Sequence, residues 1–362
     1  MSLNARTAAT SFTRRMAIPR SSQPLRFAST TTPSNPASKP APKPGSKAPT
    51  VAYTILGTFV FTMSTYASYQ YVSYKRAVEE SQKMEVPLDV SDRYNKNART
   101  FDEEVDWTEW ASGINGDRKK LLAMCKGNIL EVSCGTGRNL PYFPLGETRS
   151  VTKEGRGYTK GCRTITFVDQ SPEMIEVARE KFEKQHPEWM PRTRWLAQSA
   201  MDHIPLPTEL FKFEYNRPVN GTTAFPPRKF DTVIETMGLC SVPDPAAYLN
   251  RLGQLIEPTG QILLLEHGRS DRKWVNKILD DLAPAHANKH GCWWNRDIES
   301  IVKESGLTIV KSYRHHFGTT MWYILRPNEE FIAKQEQKKV EMKGAAEGEE
   351  ENKKKSSGWL SR

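Results

Sequence analysis

The stretch Asn128-Ile129-Leu130-Glu131-Val132-Ser133-Cys134-Gly135-Thr136-Gly137-Arg138-Asn139 decides the fold. Three apolar residues in four, Ile129, Leu130 and Val132, read as a short buried strand, and the small residues that follow read as a tight loop with a polar restart. Glycine belongs where the backbone turns sharply and a ligand must approach without a Cβ in the way, which suits Gly135 and Gly137. A helix starting there would aim its backbone N–H groups at that ligand. The dinucleotide pattern GxGxxG is not met, because its third glycine position holds Leu140. A phosphate loop is excluded by the missing Gly-Lys-Ser/Thr ending.

Working outward, a second strand, Thr164-Ile165-Thr166-Phe167-Val168-Asp169, ends in an acid. A carboxylate at the end of a neighbouring strand can accept both hydroxyls of a ribose. Ser171-Pro172-Glu173 then opens a helix with a cap residue and a first-turn proline, and Met174, Val177, Ala178 and Phe182 mark its inner face. Further on, Phe230–Glu235 reads as a fourth strand, 245–257 as a helix, Gln261–Glu266 as a strand, Arg296–Ser305 as a helix, and Leu307–Tyr313 and Met321–Leu325 as the last two strands. Strands alternating with helices predict an open α/β sheet, seven-stranded, with a reversed final hairpin and ligands at the carboxyl edge. Thr236–Val242 and Glu266-His267-Gly268 fall at that edge. Residues 144–163, rich in Gly, Lys, Thr and Arg, read as an exposed loop lengthening the first crossover.

EVSCGTGRN (131–139), FVDQSPEMIEVAR (167–179), FDTVIETMGLCSVPDP (230–245) and GQILLLEHGRS (260–270) resemble successive motifs of class I methyltransferases dependent on S-adenosyl-L-methionine, of the ubiquinone/menaquinone-methyltransferase-like subgroup. The chain as a whole is similar to fungal mitochondrial inner-membrane methyltransferase-like proteins linked to oxidase assembly. The resemblance implies a Rossmann-like seven-stranded α/β sheet with helices on both faces over roughly 120–325. It implies that Glu131, Gly135 and Gly137 surround the methionine end of the cofactor, that Asp169 holds the ribose, and that Gln170 and Thr236 also belong to the cofactor site. In the third motif the acid expected at the adenine is replaced by Ala200, so Asp202, or backbone groups of Ala200 and Met201, would grip that end. Sulfonium methyl transfer needs alignment and exclusion of water, with a base only where the acceptor must lose a proton. His267 and His290 are the candidates for that base, ahead of His203 and Glu235. The Trp pair in Asn288–Asn295 is a candidate acceptor-site lid or a core element.

The ends of the 362-residue chain look different from its middle. Hydrophobic residues make up 37%, too few for a globule throughout, so one domain over 111–328 is expected with polar extensions. The net charge of +10 invites a nucleic-acid reading. Yet no acid precedes Glu79, and Arg6, Arg14, Arg15, Arg20, Arg26, Lys39, Lys43 and Lys47 concentrate the excess in one segment without a nucleic-acid module. Residues 1–30, basic, rich in Ser and Thr and acid-free, read as a mitochondrial transit peptide, and 31–50 as a Pro/Ser-rich linker. Val51–Tyr74 carries no charge and as a helix would run about 36 Å against a hydrocarbon core of about 30 Å, which predicts a transmembrane span. Residues 75–110 form a charged helical connector expected to cover the mouth of the core, and 329–362 a disordered charged tail. These features place the chain at the mitochondrial inner membrane with its domain toward the intermembrane space, near respiratory-chain assembly factors. The alternative to an enzyme is an assembly scaffold that kept the fold. Five scattered cysteines, with no CxxC pair and no zinc spacing, predict no metal.

Overall fold

The computed structural model describes residues 48–94, 98–151, 157–211, 228–338 and 340–342. The segments read as transit peptide and most of the linker lie outside the described residues. The chain divides into two units, Met1–Ser64 and Thr65–Arg362. In the first, residues 48–64 are helical and belong to α1 (Ala48–Gln82). The expected span lies on this helix, but Thr, Ser and Tyr alternate with its apolar residues. Among the described residues no helix is long and apolar enough to cross a membrane.

The second unit continues with α2 (Phe101–Ser112), α3 (Ile114–Leu122), β1 (Lys126–Val132), β2 (Thr148–Val151), β3 (Gly157–Asp169), α4 (Pro172–Gln185), β4 (Thr193–Ala197), β5 (Phe230–Thr236), α5 (Pro245–Leu255), β6 (Ile256–His267), α6 (Lys273–His290), α7 (Ile298–Glu304), β7 (Thr308–His315) and β8 (Thr320–Arg326). The main sheet runs β4-β3-β1-β5-β6-β8-β7, with β8 alone reversed, as expected. Along β1 the side chains split between two cores: Leu130 and Val132 pack with Val168, Val233 and Leu264, while Ile129 packs with Ile165, Phe167, Ile234 and Leu263. Both faces are therefore covered, which is why the strand sequences read as nearly continuous apolar runs.

Register aligns the carboxyl ends. Val132 pairs with Val168 and Glu235, Asp169 with Ala197, and Thr236 with Leu265. The loops at 133–137, 169–171, 198–201 and 236–241 consequently share one edge, at the point between β1 and β5 where chain direction across the sheet reverses.

Three features depart from the sequence reading or lie outside it. The 144–163 insertion is not an open loop: β2 pairs antiparallel with the first residues of β3, extending that strand beyond its predicted start. Arg163 donates to both oxygens of Glu147 at 2.6 Å and fastens the hairpin base. Helix α6 was not foreseen, its Asp, Asn, Lys and His residues and internal Pro284 hiding the apolar face. The expected disordered tail begins as helix over 329–338, because Phe331, 5% exposed, inserts between Gly253 and Leu307.

Candidate active site

At the end of β1 three residues within five take left-handed backbone: Ser133 (φ 50°), Gly135 (φ 53°) and Gly137 (φ 80°). The two glycines answer to different constraints. A Cβ on Gly137 would lie 2.4 Å from Leu140 Cδ1, whereas one on Gly135 would meet nothing within 4 Å and would project into open space. Packing requires the first, and access requires the second. The polar restart is one 3-10 turn, Leu140–Tyr142, rather than the expected helix.

The Gly135 N–H donates to Asp169 Oδ2 at 2.8 Å, so the glycine turn and the acid at the end of β3 meet at one rim. Asp169 Oδ1 accepts the Ser171 N–H at 2.9 Å, and Ser171 Oγ caps α4 by accepting from Met174 N at 3.2 Å. Burial pushes the Asp169 carboxyl upward, opposed by the backbone donors of Ser171, Gly135 and Gln170. No cation balances it among those partners. Such a carboxylate gains from further hydroxyl donors.

The rim opens on a cavity of about 350 Å³, within the range of ligand sites of about 300–1,000 Å³. Of the residues expected from sequence, Gly135, Asp169, Gln170, Ala200, Met201 and Thr236 line it together. The connector adds Asp89, Ser91, Tyr94, Phe101 and Glu109, so it does supply part of the wall.

Other expected residues fall elsewhere. Glu131 is 1% exposed beneath the glycine loop, where its Oε1 accepts from Asn139 Nδ2 at 2.7 Å. Burial lifts its carboxyl to about 8, against the pull of Asn139 and Arg118. Gly137 and Asp202 also lie off the lining, Asp202 exposed on the outer side of its turn. His290 is exposed near the end of α6, its ring against His286, and His203 is exposed too. Neither lines the cavity. The Trp pair is no lid: Trp293 Nε1 donates to Pro87 O at 3.2 Å and Trp294 Nε1 to Leu279 O at 2.9 Å, tying these rings to the connector and α6. His267 does not reach the cavity either, for its Nε2 lies 2.8 Å from Cys292 Sγ. Glu235 is fully buried and faces Glu266, and burial with that neighbour's charge drives its carboxyl well above the ordinary range. Glu266 Oε1 accepts the Gly238 and Leu239 N–H groups at 3.0 and 3.2 Å. Glu266 thus braces the loop behind the cavity, with Glu235 buried beside it. Glu235 is no base at the cavity surface.

Sequence reasoning missed two parts of the lining. Arg118, 4% exposed, donates to Asn139 Oδ1 at 3.0 Å, Thr236 Oγ1 at 2.9 Å and Glu109 Oε1 at 2.8 Å, joining α3, the glycine loop and β5. Tyr94 Oη lies 3.2 Å from Ser241 Oγ, which donates to Gly291 O at 2.6 Å. Burial, then the nearby Cys240 and Cys292 sulfurs, raise the Tyr94 hydroxyl well above its usual range. It stays protonated at neutral pH and serves as a donor rather than a base.

The methyltransferase-domain family profile matches residues 99–312. The mitochondrial methyltransferase OMS1 of Saccharomyces cerevisiae is 33% identical over 249 residues, 69% of this chain and 48% of that protein. The human thiol S-methyltransferase TMT1A is 24% identical over 56% of this chain and 68% of its own length. Among solved structures, an O-methyltransferase family protein from Burkholderia thailandensis superposes with a TM-score of 0.45 at 12% identity, covering 72% of this chain and 70% of that one. The chain thus spans about half the length of its yeast relative.

Proposed function

Because the chain belongs to the methyltransferase-domain family, matched over more than half its length, we propose that it transfers a methyl group from S-adenosyl-L-methionine to a small, largely apolar acceptor bearing a soft nucleophile such as a thiol. The observation that carries this reading is the 2.8 Å bond between Gly135 and Asp169 at the rim of a ligand-sized cavity. The residues fit the donor. Asp169 has lone pairs for the ribose hydroxyls, the open space over Gly135 admits a close backbone approach, and Ala200 and Met201 offer an apolar wall to the adenine. The Arg118–Asn139–Thr236 cluster faces the side left for the methionine portion. When bound, the donor supplies a methyl already activated on a sulfonium.

The protein's own share is alignment and exclusion of water. Tyr94, Phe101, Met237, Val242 and Tyr248 give the wall an aromatic and apolar stretch, beside the polar Asp89, Glu109, Arg138 and Asp244, and that stretch suits the apolar body of a small acceptor. The Tyr94 hydroxyl would orient its heteroatom. A thiol is favoured because its proton leaves near neutral pH without a dedicated base, and the relative TMT1A carries that activity in its name.

The setting proposed is the mitochondrial inner membrane, with the domain toward the intermembrane space. Three features support it: the acid-free basic start, the mitochondrial yeast relative, and the exposure of Val51, Ile55, Leu56, Phe59, Val60 and Phe61 on α1, each more than half exposed. A non-catalytic assembly scaffold beside respiratory-chain assembly factors is the second reading, favoured by Ala200 standing where an adenine-binding acid is expected. Calorimetric titration with S-adenosyl-L-methionine, followed by labelled-methyl transfer to a panel of alkyl and aryl thiols, separates them. Transfer abolished by Asp169→Ala supports the enzyme. Tight binding with no transfer to thiols or to fractionated mitochondrial membranes supports the scaffold.

A further inference from the structure

Behind the Met237–Ser241 wall, three soft side chains from separate segments converge. Cys240 follows β5, His267 ends β6, and Cys292 follows α6. Sequence spacing conceals the set, since the three lie 27 and 25 residues apart. Topology assembles it. β5 and β6 are parallel neighbours, so residues just past their carboxyl ends stand side by side, and the Trp293 N–H donates to Cys240 O at 3.1 Å to bring in the third segment. The Cys240, His267 and Cys292 ligand atoms lie within 4.8 Å of one another.

We propose that Cys240, His267 and Cys292 form a binding site for one thiophilic d¹⁰ cation, Zn²⁺, with two thiolates and one imidazole as protein ligands and a fourth, non-protein ligand. Two thiols and an imidazole are a donor set that zinc takes in tetrahedral geometry. Zn–S and Zn–N bonds of about 2.3 and 2.1 Å set the ligand atoms about 3.6–3.8 Å apart. With all three atoms within 4.8 Å of one another and His267 Nε2 2.8 Å from Cys292 Sγ, reaching that geometry takes side-chain shifts of about 1 Å. Both cysteines are buried, Cys240 fully and Cys292 at 4% exposure, so the two sulfurs are sheltered from bulk solvent. Binding releases both thiol protons to solvent as the two sulfurs become ligands. The ion would fasten the cavity's 237–242 wall to the segment after α6. Neither a CxxC pair nor a zinc spacing in the sequence marks this set. The proposal does not depend on the acceptor assigned above.

The test uses the full chain, reduced, stripped with a chelator and titrated with Co²⁺ and then Zn²⁺. Expected are one equivalent of Co²⁺ with a thiolate charge-transfer band and tetrahedral d–d bands, displacement by Zn²⁺, and release of about two protons. Cys240→Ser and Cys292→Ser should each weaken binding more than about 100-fold, beyond what loss of an outer-shell partner costs. Cys125→Ser and Cys162→Ser should leave it unchanged. X-ray absorption on the wild-type Zn²⁺ form should count two sulfurs and one imidazole nitrogen, a readout independent of any variant's folding. The proposal falls if the reduced chain takes up no stoichiometric metal, if absorption shows only oxygen and nitrogen neighbours, or if the Cys240→Ser/Cys292→Ser pair binds as tightly as wild type.

Discussion

Gly135 and Gly137 stand two residues apart and should respond differently to the same change. Gly137→Ala combines left-handed strain with a clash against Leu140 and should cost about 3 kcal/mol in urea unfolding. Gly135→Ala, meeting no neighbour, should cost about 1 kcal/mol, yet it puts a methyl where the donor must approach, so calorimetry should register a loss of affinity out of proportion to the stability change. Glu131 gives a pH prediction. Its carboxyl sits at about 8 when folded and near 4.5 when unfolded, so between those values the folded chain holds a proton that the unfolded chain releases. Stability therefore falls as pH rises through that window and levels off above it. Glu131→Gln keeps the oxygen that accepts from Asn139 and should flatten the slope, leaving the variant more stable than wild type at pH 8 and nearly equal at pH 4.5. Unchanged pH slopes would refute the buried-acid reading. At this scale the sequence exposed Gly135 and Asp169 because each sits beside a strand end recognisable from its own neighbours. Tyr94 and Arg118 were hidden: their roles come from partners 147 and 118 residues away.

Among elements, α2 is the most consequential that the sequence left vague. Its acids turn toward the glycine loop: Asp102 bonds Thr136 and Lys181, Asp106 bonds Arg138 at 2.7 Å, and Glu109 bonds both Arg138 and Arg118. Burial sorts these pairs. Glu109 is 12% exposed and Arg118 4%, so Glu109→Ala strands a buried guanidinium and should cost about 3 kcal/mol. Asp106 is 66% exposed, and Asp106→Asn should cost less than about 0.5 kcal/mol. Equal losses in thermal denaturation would mean that exposure is not what ranks them. The charge pattern of 75–110 announced a connector, but which acid meets which base depends on how the connector folds back. The β2–β3 hairpin escaped notice for a related reason: its strand residues are polar and lack the alternation that marks a half-buried strand.

For the molecule as a whole, the two units make different demands on solvent. The exposed apolar residues of α1 between Val51 and Met63 should carry the chain to the top of a vesicle flotation gradient, and removal of residues 1–64 should leave it at the bottom with donor affinity unchanged. Flotation without that segment would move the membrane contact to the second unit. The order of strands carries another consequence. Among the described residues β8 is the last strand in sequence, yet it lies inside the sheet, between β6 and β7. Until residue 326 has left the ribosome, β7 has no partner and the flank of β6 stays open, so a nascent chain of some three hundred residues presents two sticky edges at once. A premature stop just short of β8 would therefore remove a central plank rather than trim a margin, and its product would be a client for chaperones or proteases instead of a slightly shorter protein.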